Sequence, residues 1–96
     1  MEVSTVRLRA LSGAPLKDPK VRAMVVATAE AIAERTGVTL AGVHAEDHAV
    51  TVTLPLDKLA CLGFLAELRR LTNAWYAGKH HGLSLWGDEP DVWDAG

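Results

Sequence analysis

Residues 38–54 read VTLAGVHAEDHAVTVTL, and this stretch decides the fold. On each side of the acidic centre, apolar residues alternate with polar or small ones, which is the period of a half-buried strand. We therefore predict two strands, at 38–45 and 48–54, joined by a tight turn.

One register of this hairpin brings its large apolar residues to a single face. If residues 45–47 form a three-residue turn, Leu40 lies opposite Val52 and His44 lies directly opposite His48. A two-residue turn would distribute the large apolar residues over both faces of the hairpin. In a sheet with one buried side, the apolar face determines the register. We therefore predict the three-residue turn.

The first helix is predicted upstream of the hairpin, at 19–36. Asp18 can accept hydrogen bonds from free amide groups, and Pro19 suits the first helical position because its missing N–H has no partner there anyway. Gly37 enters the left-handed conformation that ends helices without steric cost.

The second helix is predicted downstream, at 58–78, between a cap at Asp57 and an end at Gly78. Apolar residues recur in it at helical spacing. The expected inward stripe consists of Cys61, Phe64, Leu65, Leu68, Leu71, Thr72 and Trp75.

A first strand at 3–11 completes the pattern, since Val6 and Leu8 alternate there with Arg7 and Arg9. The fold class is then α+β: a ferredoxin-like βαββα(β) domain over 1–86, with two helices on one face of an antiparallel sheet. Residues 83–86 are a candidate edge strand. The open sheet face is expected to carry Arg7, Arg9, Thr39, Ala41, Val43, Ala49, Thr51 and Thr53.

The chain has 96 residues, a formal net charge of −2 and one cysteine. No run approaches the roughly 18 apolar residues that cross a membrane, and the start lacks the pattern of a signal peptide. A lone cysteine excludes an internal disulfide or a multi-cysteine zinc site. We expect a cytoplasmic protein with no membrane partner.

Residues 87–96 form an acidic tail in which Asp88, Glu89, Asp91 and Asp94 surround Trp93. Such a segment can dock on basic groups of its own domain or of a partner, with the aromatic ring as anchor. The alternative is a solvated end, as chain termini often are.

Two histidines near the hairpin turn, His44 and His48, are the candidate metal ligands. Opposed imidazoles can share a divalent metal, and Glu46 or Asp47 could complete the set, although a convincing site needs three or four ligands. The alternative is a polar hairpin tip without any cofactor.

Five cations are candidates for binding nucleic acid. Arg7 and Arg9 lie on the first strand, and Arg69, Arg70 and Lys79 on or after the second helix. The alternative is a solvated surface, given the low net charge. No aromatic residue is expected on the open sheet face, which argues against RNA binding by base stacking there.

Three segments resemble the small HUH-type tyrosine transposases, in particular their REP-associated branch. AEDHAVTV at 45–52 is similar to the strand with the family's metal-binding histidines, and LAELRRLTNAWY at 65–76 to the following helix. HGLSLW at 81–86 is similar to the family's His-Gly and Trp segment. The resemblance implies a transposase fold with DNA as partner.

The functional residues of that family are incomplete in this chain. His48 matches the first metal-binding histidine, but the second falls at Val50, which cannot bind a cation. The family's nucleophilic tyrosine lies on a later helix, and Tyr76 does not match it. The resemblance therefore implies the fold without strand cleavage.

Three functional hypotheses follow. The first is a non-catalytic, transposase-like module that binds nucleic acid or a protein partner as a homodimer. The second is a ferredoxin-like regulatory or oligomerisation domain unrelated to transposition. The third is a metal-dependent nuclease that uses His44 and His48.

Overall fold

The computed structural model describes residues 3–87 and the backbone of residues 91–94. Four antiparallel strands form one sheet in the order β2-β3-β1-β4, and two helices pack against each other over one of its faces. This is the α+β, ferredoxin-like arrangement that the sequence predicts. The elements are β1 Ser4–Arg9, a short 3-10 helix Pro15–Lys17, α1 Pro19–Thr36, β2 Gly42–Ala45, β3 Ala49–Leu54, α2 Lys58–Lys79 and β4 Asp91–Asp94.

Helix α1 begins and ends at the predicted residues because both of its caps form. The Asp18 carboxylate accepts a hydrogen bond from the amide of Lys20 at 2.9 Å, and Pro19 occupies the first turn. Gly37 ends the helix in the left-handed conformation, with φ of 73°. Its amide donates to carbonyls of the last turn, which satisfies acceptors that a bare helix end leaves open.

Helix α2 starts as predicted but ends later than predicted. The Asp57 carboxylate accepts from the amide of Ala60 at 2.8 Å. The prediction that Gly78 ends the helix is wrong, because the helix continues to Lys79. His81 takes the left-handed conformation instead, with φ of 56°, and the amide of Gly82 donates to the carbonyl of Ala77 at 2.8 Å.

The core lies between the sheet and the two helices. Val6 and Leu8 of β1 are buried there, as predicted, and the apolar face of β3 lies beside them. The predicted stripe of α2 is buried at Cys61, Phe64, Leu65, Leu68 and Thr72. Trp75 departs from the prediction, since it is 37% exposed where α2 extends beyond the core, while Tyr76 packs partly against it.

Neither described helix combines the length and the apolarity that crossing a bilayer requires.

The predicted register of the β2–β3 hairpin is wrong by three residues. The structure pairs Val43, not Leu40, with Val52, and it pairs His44 with Thr51 rather than with His48. The turn has two residues, closed by a hydrogen bond from the amide of Glu46 to the carbonyl of Ala49 at 2.8 Å.

The new register also changes the faces of β2. Val43 and Ala45 pack against the core, so the expectation that Val43 lies on the open face is wrong. Val38 and Leu40 still pack against the core, but from the connection before β2 rather than from a strand.

Residues of the predicted acidic tail take part in the sheet. Strand β4 pairs with β1 and places Asp91 at the register position opposite Arg7. Residues 83–86 do not form the candidate edge strand, but Trp86 makes an isolated antiparallel bridge to Ala10. Positions 88–90, 95 and 96 of the tail lie outside the described residues.

Candidate functional site

The acidic residues of the β2–β3 turn are held by two arginines from different elements. Arg7 of β1 donates to a Glu46 carboxylate oxygen at 2.8 Å, and Arg22 of α1 donates to an Asp47 oxygen at 2.9 Å. The turn is also tied by its backbone, since the amide of Leu16 donates to the carbonyl of Asp47 at 3.0 Å. These carboxylates therefore anchor the hairpin to β1 and α1.

The two candidate metal ligands do not face each other. His44 lies on the open face of β2 with its side chain 73% exposed, and its Nε2 atom is 3.7 Å from a Glu46 oxygen. His48 belongs to the turn, where its carbonyl accepts from the amide of Ala10 at 2.8 Å. Within residues 3–87, no group of three or more His, Cys, Asp or Glu side chains could hold a metal ion.

The position that matches the second histidine of the HUH motif lies in the core. Val50 is fully buried opposite Leu8 on the helix-covered face of the sheet. A ligand at this position would point into packed aliphatic side chains and away from any solvent-borne substrate. Burying an ionic centre among apolar groups is costly.

The five candidate cations lie on two different surfaces. Arg7 and Arg9 are on the open face of the sheet, where Arg7 is already paired with Glu46. Arg69, Arg70 and Lys79 belong to α2, which covers the opposite face. The structure therefore divides the predicted nucleic-acid site in two.

A groove of about 380 Å³ runs along the side of α2. Its floor is apolar and includes Leu62 and Leu65, and its polar lining comes from Arg69, Arg70 and Asn73. Such a groove can hold a flat or aliphatic group while its rim binds an anion.

Arg70 shares the Glu67 carboxylate with an arginine of α1. Arg70 donates to Glu67 at 2.6 Å and Arg35 at 3.4 Å, both from exposed positions. The hydrogen bond from Arg70 lowers the pKa of Glu67, and Glu67 in turn raises the pKa of Arg70. Ion pairs between exposed side chains add little to stability because solvent screens them, so a phosphate can compete for Arg70.

Aromatic and cationic side chains meet at the C-terminal end of α2. The Lys79 ammonium lies 5.8 Å from the centre of the Trp75 ring, and the rings of Tyr76 and His80 stack at 4.1 Å. Tyr76 is thus a packing residue in this structure.

The sequence analysis did not predict that polar side chains of α2 form hydrogen bonds with residues 84–86, which follow this helix. The Asn73 side chain accepts from the amide of Leu85 at 2.7 Å. The buried Trp86 indole donates to the Thr72 hydroxyl at 2.8 Å, which donates to the Leu68 carbonyl at 2.6 Å. Asn73 and Trp86 lie in the segments that resemble the transposase family, but the resemblance gives them no role. The structure shows that both attach residues 84–86 to α2.

The fold resembles that of a transposase. This chain superposes on a "putative transposase" from Deinococcus radiodurans R1 with a TM-score of 0.76, over 100% of this chain and 79% of the other, at 15% sequence identity. SnoaB, a cofactor-independent oxygenase from Streptomyces nogalater, aligns over 98% of this chain and 92% of its own at 24% identity, but its TM-score of 0.47 is too low to support an argument. No family model matches the sequence, and no curated protein does. The chain therefore has a transposase-like fold.

Proposed function

We propose that this chain is a non-catalytic, transposase-like module that binds nucleic acid, and that α2 is the binding surface. The observation that carries the proposal is the charge of this helix. Residues 58–79 contain four basic residues against one acidic residue, a formal charge of +3. Helix α1 carries three basic and two acidic residues, a formal charge of only +1.

The arrangement along α2 favours contact with a nucleic-acid backbone. Arginine side chains bind phosphate through paired N–H donors, and Arg69 and Arg70 both line the groove. Its apolar floor supplies a surface for the flat face of a base. The sheet's open face is a weaker candidate, because the Arg7 side chain, paired with Glu46, is only 27% exposed, whereas that of Arg70 is 67% exposed.

Two residues support a non-catalytic role. Strand cleavage of the HUH type needs a divalent cation and a tyrosine nucleophile. Val50 stands in the core where the second histidine would be, and the ring of Tyr76 is stacked on His80. The nuclease hypothesis needs His44 opposite His48, and the observed register removes that pairing.

The binding test is fluorescence anisotropy of labelled single-stranded and double-stranded DNA across a salt series. Affinity should fall as salt rises, because phosphate contacts release counterions. The double variant Arg69→Ala, Arg70→Ala should flatten the slope of log K against log salt by about 1.4 on single strands, at roughly 0.7 per contact.

Arg35→Ala is the matched control, since it removes the other exposed arginine that pairs with Glu67. Salt-insensitive binding, or an equal loss in the control and the double variant, contradicts the proposal. A covalent protein–DNA adduct formed with magnesium or manganese and lost in Tyr76→Phe contradicts the non-catalytic part.

A protein partner is the second candidate, and one observation favours it. Leu59 and Leu62 of α2 are 80% and 38% exposed, and exposed aliphatic residues on one helix often mark a protein interface. Leu59→Ser, which lies outside the lining of the groove, should then weaken partner binding while leaving DNA affinity and its salt slope unchanged.

A further inference from the structure

Strand β2 is an edge strand with backbone groups that point away from the sheet. In the described part of the chain, β3 is its only neighbour. Glu46 and Ala49 form a hydrogen-bonded pair at the turn, and such pairs alternate along an antiparallel ladder. The N–H and C=O groups of His44 therefore point toward β3, whereas those of Val43 and Ala45 point outward.

Only one symmetric pairing satisfies all four outward groups. A second copy of β2, running antiparallel and centred on His44, would pair Val43 with the partner's Ala45 and the reverse. Centring on Val43 would require the amide of Ala41, which already donates to Thr53 at 3.0 Å. Centring on Ala45 would require the carbonyl of Asp47, which already accepts from Leu16.

This pairing would place His44 directly opposite the partner's His44. The two residues would form a non-hydrogen-bonded pair, in which the Cα atoms lie about 4.5 Å apart and both side chains are on one face. The His44 side chain is 73% exposed, and a Glu46 oxygen lies 3.7 Å from its Nε2 atom. Two copies would thus gather two imidazoles and two carboxylates around one axis.

We infer that two copies of this chain pair through β2 and bind a transition-metal ion such as Zn²⁺ between their His44 side chains. Imidazole and carboxylate groups are ligands that Zn²⁺ accepts, and three or four of them make a site. Residues 3–87 of one copy contain no such group, so the site is incomplete without the partner. The inference is independent of nucleic-acid binding, because α2 lies over the other face of the sheet.

The pairing is tested by His44→Cys in the full chain. Cα atoms about 4.5 Å apart are within the range that a disulfide spans, so mild oxidation should give a covalent dimer. The native Cys61 is fully buried, and burial raises the pKa of its thiol, so it should not compete. His48→Cys, at an exposed position in the turn, is the control and should remain monomeric. Failure of His44→Cys to crosslink, or equal crosslinking of the control, overturns the pairing.

The metal site is tested by sedimentation of the unmodified chain with and without Zn²⁺. The metal should shift the mass from 10.3 kDa toward twice that value. The shift should be lost in His44→Ala and retained in His48→Ala. No shift, or the same shift in His44→Ala, overturns the metal site.

Discussion

The buried indole of Trp86 gives the sharpest test of what holds the fold together. Its N–H donates to Thr72, and Trp86 is 1% exposed. Replacing Thr72 by Val keeps the shape of the side chain but removes the acceptor. The indole N–H is then buried without a partner, and such a group costs about 1–3 kcal/mol.

Thr28→Val is a matched control for this change. Thr28 of α1 donates to the carbonyl of Met24 at 2.7 Å, just as Thr72 donates to Leu68, but it accepts nothing from an indole. The control should change the free energy of unfolding by less than about 0.5 kcal/mol.

Urea unfolding followed by circular dichroism measures both free energies. In thermal scans, Thr72→Val should lower the melting temperature by about 5–20 °C, since 1 kcal/mol corresponds to roughly 4–8 °C in a domain of this size. In a Trp86→Phe background, Thr72→Val should lower the free energy of unfolding no more than Thr28→Val does, because no indole N–H remains to lose its acceptor. Equal costs for the two valine variants in the native background would refute the reasoning.

Two further predictions concern α2. Leu68 is fully buried, so Leu68→Ala should lower the free energy of unfolding by about 2–5 kcal/mol. Arg70→Ala, on the exposed side, should cost far less, and chemical denaturation that found equal losses for the two variants would show that the helix face is misassigned. The pKa of Glu67 is lowered in the folded state, so its ion pairs stabilise the fold above the ordinary carboxyl pKa and lose that effect as pH falls through the lowered value. The stability difference between the native chain and Glu67→Gln should therefore shrink from neutral pH to below about pH 4, and a difference independent of pH would contradict this.

Elements whose determinants are local in sequence were predictable. The bounds of α1 follow from Asp18, Pro19 and Gly37, each of which acts on its own backbone neighbourhood. The inward stripe of α2 follows from its period up to Thr72. The prediction is wrong at Trp75, because the helical period does not reveal where along α2 the underlying core ends.

The hairpin register was not predictable because distant residues determine it. Arg7 and Arg22 bind Glu46 and Asp47 across 39 and 25 positions of sequence. The alternation of apolar residues also does not reveal that Leu40 packs against the core from a position before β2, where it is not paired with β3. The prediction that His44 lies opposite His48 is wrong for this reason, since that arrangement depended on the register.

The surfaces that carry the five candidate cations were not predictable from the sequence. Sequence spacing identifies Arg69 and Arg70 as lying away from the centre of the apolar stripe of α2. It does not show that α2 and the arginines of β1 end on opposite faces, since that depends on the packing of the helix layer.

The position of β4 beside β1 has a consequence for folding during synthesis. Ser4 pairs with Asp94, so this ladder joins two segments that are far apart in sequence. At about 5–20 residues per second, several seconds separate the emergence of the two strands from the ribosome. Strand β3 can cover one edge of β1 in that interval, whereas the other edge has to wait for β4. Until β4 pairs with it, this uncovered edge of β1 can form hydrogen bonds with a strand of another nascent chain on the same messenger RNA.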